Sequence, residues 1–335
     1  MKLLDHLNPA DHVLLGVIDD NWPVQFLSEY SRFQHHYHKE SIKIVYDDQL
    51  KAFMPLRFLD LKIFAPAQIL FAPLSSGVEL PKENQLIFFN KLLTLLQNKG
   101  GCERLMQPNP YAVLAAYPEG SKYCDFGTYL IDLKNQSEDE ILEKFHPKYQ
   151  KAVSHSVKNG AEVKIGKECL EDFYLTYSST MNKAGLYVDP FEYFDMLWRY
   201  LGDDRICCAV VYDNGLPVSG IFLLYTTYSA FLTHAGTHGD SKLYGAAKLL
   251  NFKVMKYLKN KGVERYDFVG VRLKNNNPAL EGIFRFKKGF GGDLKEGYLW
   301  KIDILPFKAK AYDLILKLKS GNNQVIDIID QVNRN

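Results

Sequence analysis

Tyr46-Asp47-Asp48-Gln49-Leu50-Lys51-Ala52 and Tyr212-Asp213-Asn214-Gly215-Leu216-Pro217-Val218 are two versions of one motif, and they decide the fold. Each follows a run of β-formers, Ile42 to Val45 in the first case and Cys207 to Val211 in the second. Asp-Asp-Gln and Asp-Asn-Gly are turn chemistry, so each motif predicts a β-hairpin. A second pair of landmarks follows in the same order and at nearly the same separation. Leu95-Leu96-Gln97-Asn98-Lys99-Gly100 precedes Glu103-Arg104, and Tyr257-Leu258-Lys259-Asn260-Lys261-Gly262 precedes Glu264-Arg265. Both read as an amphipathic helix that stops at a glycine and leads into a strand. Two landmarks repeated together predict an internal duplication.

The fold class that follows is α/β (α+β): two tandem domains, each a mixed β-sheet flanked by helices. The 335 residues leave room for two domains of about 150 residues. The predicted divisions are 1–145 for the first, 146–305 for the second, which carries the site, and 306–335 for a C-terminal helical segment packing back on the first. Residues 40–135 and 205–305 should superpose. In the second copy, Phe222 to Leu232 supplies a long strand, and Leu243 to Lys259 is a helix with Ala247, Leu250 and Val254 on one face. Tyr266 to Val271 is the adjacent strand. Between the copies, Ser137 and Glu140 have the spacing of a capping box, and Pro147 opens the next helix. Lys308 to Asn333 reads as two helical pieces parted by Gly321.

Composition sets the class of partner. The net charge is +2, with 47% hydrophobic and 24% charged residues, which does not suit a general nucleic-acid coat. Lys144, Lys148, Lys151 and Lys158, with His146 and His155, form a local basic run. It reads either as a solvated helix face or as a surface that meets phosphates. Cys102, Cys124, Cys169, Cys207 and Cys208 are scattered without CxxC spacing, as in reduced core thiols of a cytosolic protein. Asp5, His6, Asp11, His12, Asp19 and Asp20 make the N-terminus unlike a signal segment, and no run suits a membrane helix. The expected location is the cytoplasm.

Four segments are candidates for chemistry. In Gly282-Ile283-Phe284-Arg285-Phe286-Lys287-Lys288-Gly289-Phe290-Gly291-Gly292, read as a strand end with a glycine turn, aromatic walls would leave a lysine partly desolvated. Such a lysine holds a developing oxyanion more strongly than water does. Asp240 to Ala247 opens the second-copy helix, and Lys242-x-x-Gly245-x-Ala247 resembles the pattern with which GNAT acetyltransferases cradle coenzyme A pyrophosphate. Tyr244 lies inside it, so Lys242, Tyr244, Gly245 and Ala247 are the candidate donor-binding set. His234 and His238 flank Gly236 at a strand-to-helix turn, and His234 is a candidate site-lining residue; no histidine group has metal spacing. Lys183 and Tyr187, four apart, would share a face if their helix continued.

Together these segments resemble the Fem family (FemABX), non-ribosomal peptidyltransferases similar to tandem GNAT domains. Phe286-Lys287 with Phe290-Gly291 resembles the family's Phe-Lys-x-x-Phe-Gly segment. Lys148 to Gly160 resembles the start of its second domain, and Gly262 to Gly270 the strand before its catalytic stretch. The likeness covers residues 137–305. It implies an N-acyltransferase moving an aminoacyl or peptidyl group to an amine of a peptidoglycan precursor or similar cell-envelope acceptor, nucleotide- or lipid-linked. Lys287 would be catalytic, Phe286 and Phe290 would wall the pocket, and Lys183, Tyr187 and His234 would hold the acceptor. The donor is aminoacyl-tRNA, with transient tRNA contact, or acyl-CoA. No bound cofactor, metal or general base is implied. Lys183 stands where the family often has arginine, and there is no room for the helical arm of some members. An acyl-CoA-dependent enzyme acting on another small amine is one alternative, and a non-catalytic GNAT-like binding module is another.

Overall fold

The computed structural model describes residues 1–61, 63–99, 101–238, 243–274, 277–320 and 327–333. In the first half, β1 (Lys2–Leu4), α1 (His12–Leu15) and α2 (Ser28–His38) precede the hairpin β2 (Ser41–Asp47)–β3 (Ala52–Phe58). Its turn is tied by Asp47, whose carboxylate accepts from the Gln49 and Leu50 amides at 3.1 and 2.9 Å. β4 (Ala67–Ile69), the ribbon β5 (Leu74–Ser75)–β6 (Val78–Glu79), α3 (Lys82–Lys99), β7 (Arg104–Met106) and the long β8 (Lys122–Asp132) follow. α4 (Glu138–Glu143) and α5 (Pro147–Lys158) link the halves. Ser137 and Glu140 form the predicted capping box, and Pro147 sits in the first turn of α5.

The second half repeats that order with β9 (Glu162–Ile165), α6 (Leu170–Ala184), α7 (Phe191–Leu201) and the hairpin β10 (Ile206–Asp213)–β11 (Leu216–Tyr225). Asn214 and Gly215 have φ of +49° and +78°, the left-handed pair that a two-residue type I′ turn requires. Then come β12 (Ala230–Thr237), α8 (Ala246–Asn260), β13 (Arg265–Asp267), β14 (Val271–Arg272), α9 (Pro278–Lys288) and β15 (Asp293–Asp303). α10 (Pro306–Ser320) and α11 (Ile328–Asn333) end the described chain. α10 rests on the first half, with Tyr312 5.2 Å from Phe64 and Asp313 accepting from Arg104 at 2.5 Å.

The strand order shows the duplication. One arm of the sheet runs β1-β2-β3-β4-β7-β15 and the other β9-β10-β11-β12-β13-β8. In each arm the first four strands are antiparallel neighbours. The next pair is parallel, β4 with β7 and β12 with β13. The sixth strand is exchanged: β15, from the second half, closes the first arm, and β8, from the first half, closes the second. β8 and β15 also pair with each other from Lys122↔Lys301 to Leu130↔Asp293, joining the arms. One core fills the first arm and reaches one face of the second through Phe173, Phe194, Phe222 and Phe231. Another packs α5 and α8 on the opposite face through Val153, Leu249, Leu250 and Val254.

Several sequence readings change: Phe222 to Leu232, read as one strand, is divided between β11 and β12, Tyr266 to Val271 is divided between β13 and β14, and His234 lies within β12 rather than at a strand-to-helix turn. The segment read as a strand end with a glycine turn is mostly helix, since α9 runs to Lys288. Asn277 caps it, accepting from Ala279 N–H at 2.9 Å, and Pro278 occupies the first turn. The mid-helix Gly282 had disguised the pattern. α8 begins at Ala246 rather than Leu243. α6 stops at Ala184, where Gly185 turns left-handed at φ +65°, so Lys183 and Tyr187 share no helical face. Asp240, Ser241, Lys242 and the Gly321 break lie outside the described residues.

Candidate active site

β12 and β13 bond only at Ala230↔Tyr266 and Phe231↔Asp267. Beyond Phe231, β12 continues to Thr237 along β11, with a bulge beside Phe222. The chain after Asp267 turns away instead, to pair β14 with β8. The strands therefore part at Phe231 and Asp267, opening a wedge in the second arm.

Lys287 reaches the wedge from α9. Its Nζ donates to the carbonyls of Val269 at 2.5 Å and Gly270 at 2.7 Å. Those residues have φ of +51° and +64°, and a β-branched residue there is strained. Asp267 holds the turn: its carboxylate accepts from Val269 N–H at 2.7 Å and from the Thr128 hydroxyl at 2.5 Å. Burial drives the Lys287 ammonium down to about 8, against the opposing pull of the Asp267 carboxylate. Burial raises Asp267 despite its hydrogen bonds. An ammonium has three donors; carbonyls take two, and no described residue takes the third.

The far wall of the wedge is aromatic and polar. His234, on β12, lies among Tyr177, Tyr193, Phe194 and Phe222, with ring centroids 4.9 to 6.3 Å away. Its Nε2 is 3.5 Å from Asp189 Oδ2, and its Nδ1 is 2.9 Å from the Thr233 hydroxyl. Tyr177 donates to the same Asp189 oxygen at 2.8 Å. The His234 and Tyr177 contacts hold Asp189 below the usual carboxylate range. Burial, with the Asp189 carboxylate adding to it, pushes Tyr177 up to about 12. Tyr111, from the first half, packs on Phe231 at 5.6 Å, and its hydroxyl feels both Asp267 and Asp189.

The residues singled out in the sequence fall into three groups. Lys287 and His234 line the wedge from opposite sides. Phe286 is partly buried 5.1 Å from Phe290, whereas Phe290 is fully buried among Phe145, Tyr149 and Phe268 and anchors α9 rather than walling a pocket. Lys183 and Tyr187 lie on the exposed end of α6 and the loop after it, with Tyr187 78% exposed. Of the donor set, Lys242 lies outside the described residues. Tyr244 is exposed, and its carbonyl accepts from Ser156 at 2.8 Å. Gly245, at φ +98°, meets α5 so closely that a Cβ would lie 2.3 Å from the Ala152 carbonyl oxygen. Helix packing therefore accounts for this glycine. Ala247 is partly buried, and its carbonyl accepts from Asn251. Sequence reading missed Asp267, Asp189, Tyr177, Tyr193 and Tyr111. Asp189-Pro190, just before a helix, was the one local signal among them.

Two arms with the same strand order, each with a helix crossing over to a parallel strand, place the protein in the tandem GNAT-like class. A solved tandem GNAT protein from the clavulanic acid biosynthesis pathway shares this architecture, with a TM-score of 0.52 at 10% identity over 90% of this chain and 97% of that one. The crystal structure of FemX gives a TM-score of 0.67 at 13% identity, covering 94% of this chain and all of that one. Residues 209–317 match the FemAB family model. Aminoacyltransferase FemA of Staphylococcus aureus (strain MW2) is 27% identical over 115 residues, 34% of this chain and 27% of that protein. The similarity to the FemAB family is confined to this second-half segment. The aligned stretch spans about a quarter of the FemA sequence. No helix among the described residues is long and apolar enough to cross a membrane.

Proposed function

We propose that the protein is an aminoacyltransferase that joins an activated aminoacyl group to an amine of a peptidoglycan precursor. The observation that carries this reading is the Lys287 ammonium, fixed at the split of β12 and β13 with one donor uncommitted. The similarity of residues 209–317 to a family that includes Aminoacyltransferase FemA supports it.

The amine attacks the ester carbonyl carbon, and the C=O π electrons move to oxygen. Lys287 donates to that oxyanion in a site where burial strengthens the contact. Collapse of the intermediate breaks the bond to the departing oxygen, which takes up the surplus proton of the amine. An amide and an alcohol result. Asp189, His234 and Tyr177 form the acceptor wall, where one carboxylate fixes both a ring and a hydroxyl.

The test combines purified protein, aminoacyl-tRNA and a peptidoglycan precursor with a free amine, followed by mass spectrometry. The precursor should gain the mass of one aminoacyl residue. Gain from acyl-CoA alone would overturn the aminoacyl-ester donor, and no gain from either donor would overturn the reading.

A further inference from the structure

The carbonyls that hold Lys287 belong to a turn that its own sequence does not favour. Val269 is β-branched yet takes φ +51°, and Gly270 follows at φ +64°. A β-branched residue persists in that region only where the surroundings over-determine it. Here the surroundings are one strand. β8 belongs to the first half and closes the second arm, and three of its residues meet the turn. Phe126 lies against Gly270, where a Cβ would come within 2.8 Å of its ring. Thr128 donates from its buried hydroxyl to Asp267 Oδ1 at 2.5 Å, the oxygen that also accepts from the Val269 amide at 2.7 Å. The Tyr129 carbonyl accepts from the Phe268 amide at 3.1 Å.

With the Phe268 and Val269 amides taken up in this way, the Val269 and Gly270 carbonyls are left to accept from Lys287 Nζ. Asp267 acts on the ammonium in a second way. It is buried, and its negative charge opposes the desolvation that drives Lys287 down. The other groups that face this pair are Lys295 on β15, itself paired with Glu79, and the hydroxyls of Tyr111 and Tyr228.

We infer that Thr128 and Asp267 are positioning residues for Lys287, an inference whose kinetic consequence rests on the aminoacyl-transfer reading. The first half thus builds the carbonyl cradle of a lysine that the second half supplies, and it does so through the exchanged strand. The Thr128 hydroxyl orients the carboxylate, the carboxylate fixes the Val269 amide, and the turn presents its carbonyls to the ammonium. Neither Thr128 nor Asp267 needs to touch substrate.

The experiment compares Thr128→Val, Thr128→Ser and Asp267→Asn with the wild type, each checked for its urea midpoint. Valine keeps the shape of threonine and loses the hydroxyl, whereas serine keeps the hydroxyl and loses a methyl. In transfer from aminoacyl-tRNA to a precursor amine, Thr128→Val should lower kcat about tenfold, the worth of a hydrogen bond to a charged group, with KM within about twofold. Thr128→Ser retains that bond and should stay within about threefold of the wild type. A residue that only packs would show the reverse order, because serine leaves a void where valine does not. Two readouts need no substrate. The first is the titration of Lys287 by NMR of protein labelled at lysine Cε, its signal assigned by its absence from Lys287→Arg. The midpoint should fall by about one unit in Asp267→Asn, since a nearby opposite charge favours the ammonium. The second is hydrogen exchange of the Val269 amide, which should be about tenfold faster in Thr128→Val. A valine variant as fast as the wild type, a serine variant slower than the valine variant, or an unmoved Lys287 midpoint in Asp267→Asn would each overturn the inference. If the wild type transfers nothing while midpoint and exchange both change as expected, the transfer reading falls and the cradle stands. If the wild type transfers and neither Thr128→Val nor Asp267→Asn alters kcat, the cradle role falls and the transfer reading stands.

Discussion

The two parallel strand pairs are the same device put to different use. In the first arm, β4 and β7 pair at Ala67↔Leu105 and Gln68↔Met106. Beyond them the gap is closed: Asn109 N–H donates to the Ile69 carbonyl at 2.9 Å, and Gln68 donates to the Gln107 carbonyl at 2.9 Å. In the second arm no hydrogen bond among the described residues spans the gap after Phe231 and Asp267, because the Phe268 amide is drawn to the Tyr129 carbonyl and that of Val269 to Asp267. The first arm keeps the split stitched and contributes a wall, chiefly Tyr111. The second opens the split and lines it with Lys287. Duplication supplied two parallel strand pairs, and hydrogen bonds close the split beyond the first of them but not beyond the second.

The largest expected effect is on chemistry in the open wedge. Lys287→Ala removes the uncommitted donor and should lower kcat by about 100- to 1,000-fold, roughly 3–4 kcal/mol. Lys288→Ala, exposed on α9, should change kcat less than twofold. Adjacent residues on a helix diverge by about 100°, so only one of this pair faces the wedge. A damaging Lys288→Ala with a harmless Lys287→Ala would break the assignment. Gly245→Ala should destabilise the fold by about 2–4 kcal/mol, because it combines a left-handed backbone with a clash against Ala152. A denaturant midpoint equal to wild type would refute the packing role.

Asp189→Asn keeps the shape of the acceptor wall but loses its charge. It should raise the acceptor KM about tenfold, roughly 1.5 kcal/mol for a hydrogen bond to a charged group, with a smaller change in kcat. An unchanged KM would remove this wall from the site. Asp189 is also held below its unfolded value. Its stabilising contribution is therefore present above the unfolded pKa and lost as pH falls through the folded one. The smallest effect is Gly282→Ala, within α9 with nothing near a new Cβ. It should stabilise the protein by about 0.5–1 kcal/mol, read as a small rise in melting temperature.

What the sequence revealed was local. The hairpin turns and the capping box each lie within a few residues, so their chemistry announces itself. The exchange of β8 and β15 has no local signature, because each strand is long and β-forming whichever arm it joins. α9 carried a helix start in Asn277-Pro278, but closely spaced aromatics and flanking glycines favoured a strand reading. Lys287 stood out as a candidate through the resemblance of its segment, whereas its carbonyl cradle depends on a turn 17 and 18 residues earlier. The Asp189, Tyr177 and His234 cluster joins a loop, a helix and a strand, and so was not legible.

The central claim, that the Lys287 ammonium acts in the open wedge, meets its most direct test in the pH dependence of the wild-type to Lys287→Ala ratio of single-turnover rates. Burial holds Lys287 at about 8, below an unfolded value of about 10.4. The charged form therefore costs stability below pH 8, and that cost lifts as pH rises toward the unfolded value. Ionisation of the acceptor amine affects both proteins alike and cancels in the ratio. The ratio should be large and flat below about pH 8, then fall about tenfold per unit above it as the ammonium loses its proton. A ratio near one at all pH values, or one that stays large and constant through pH 10, would contradict the account.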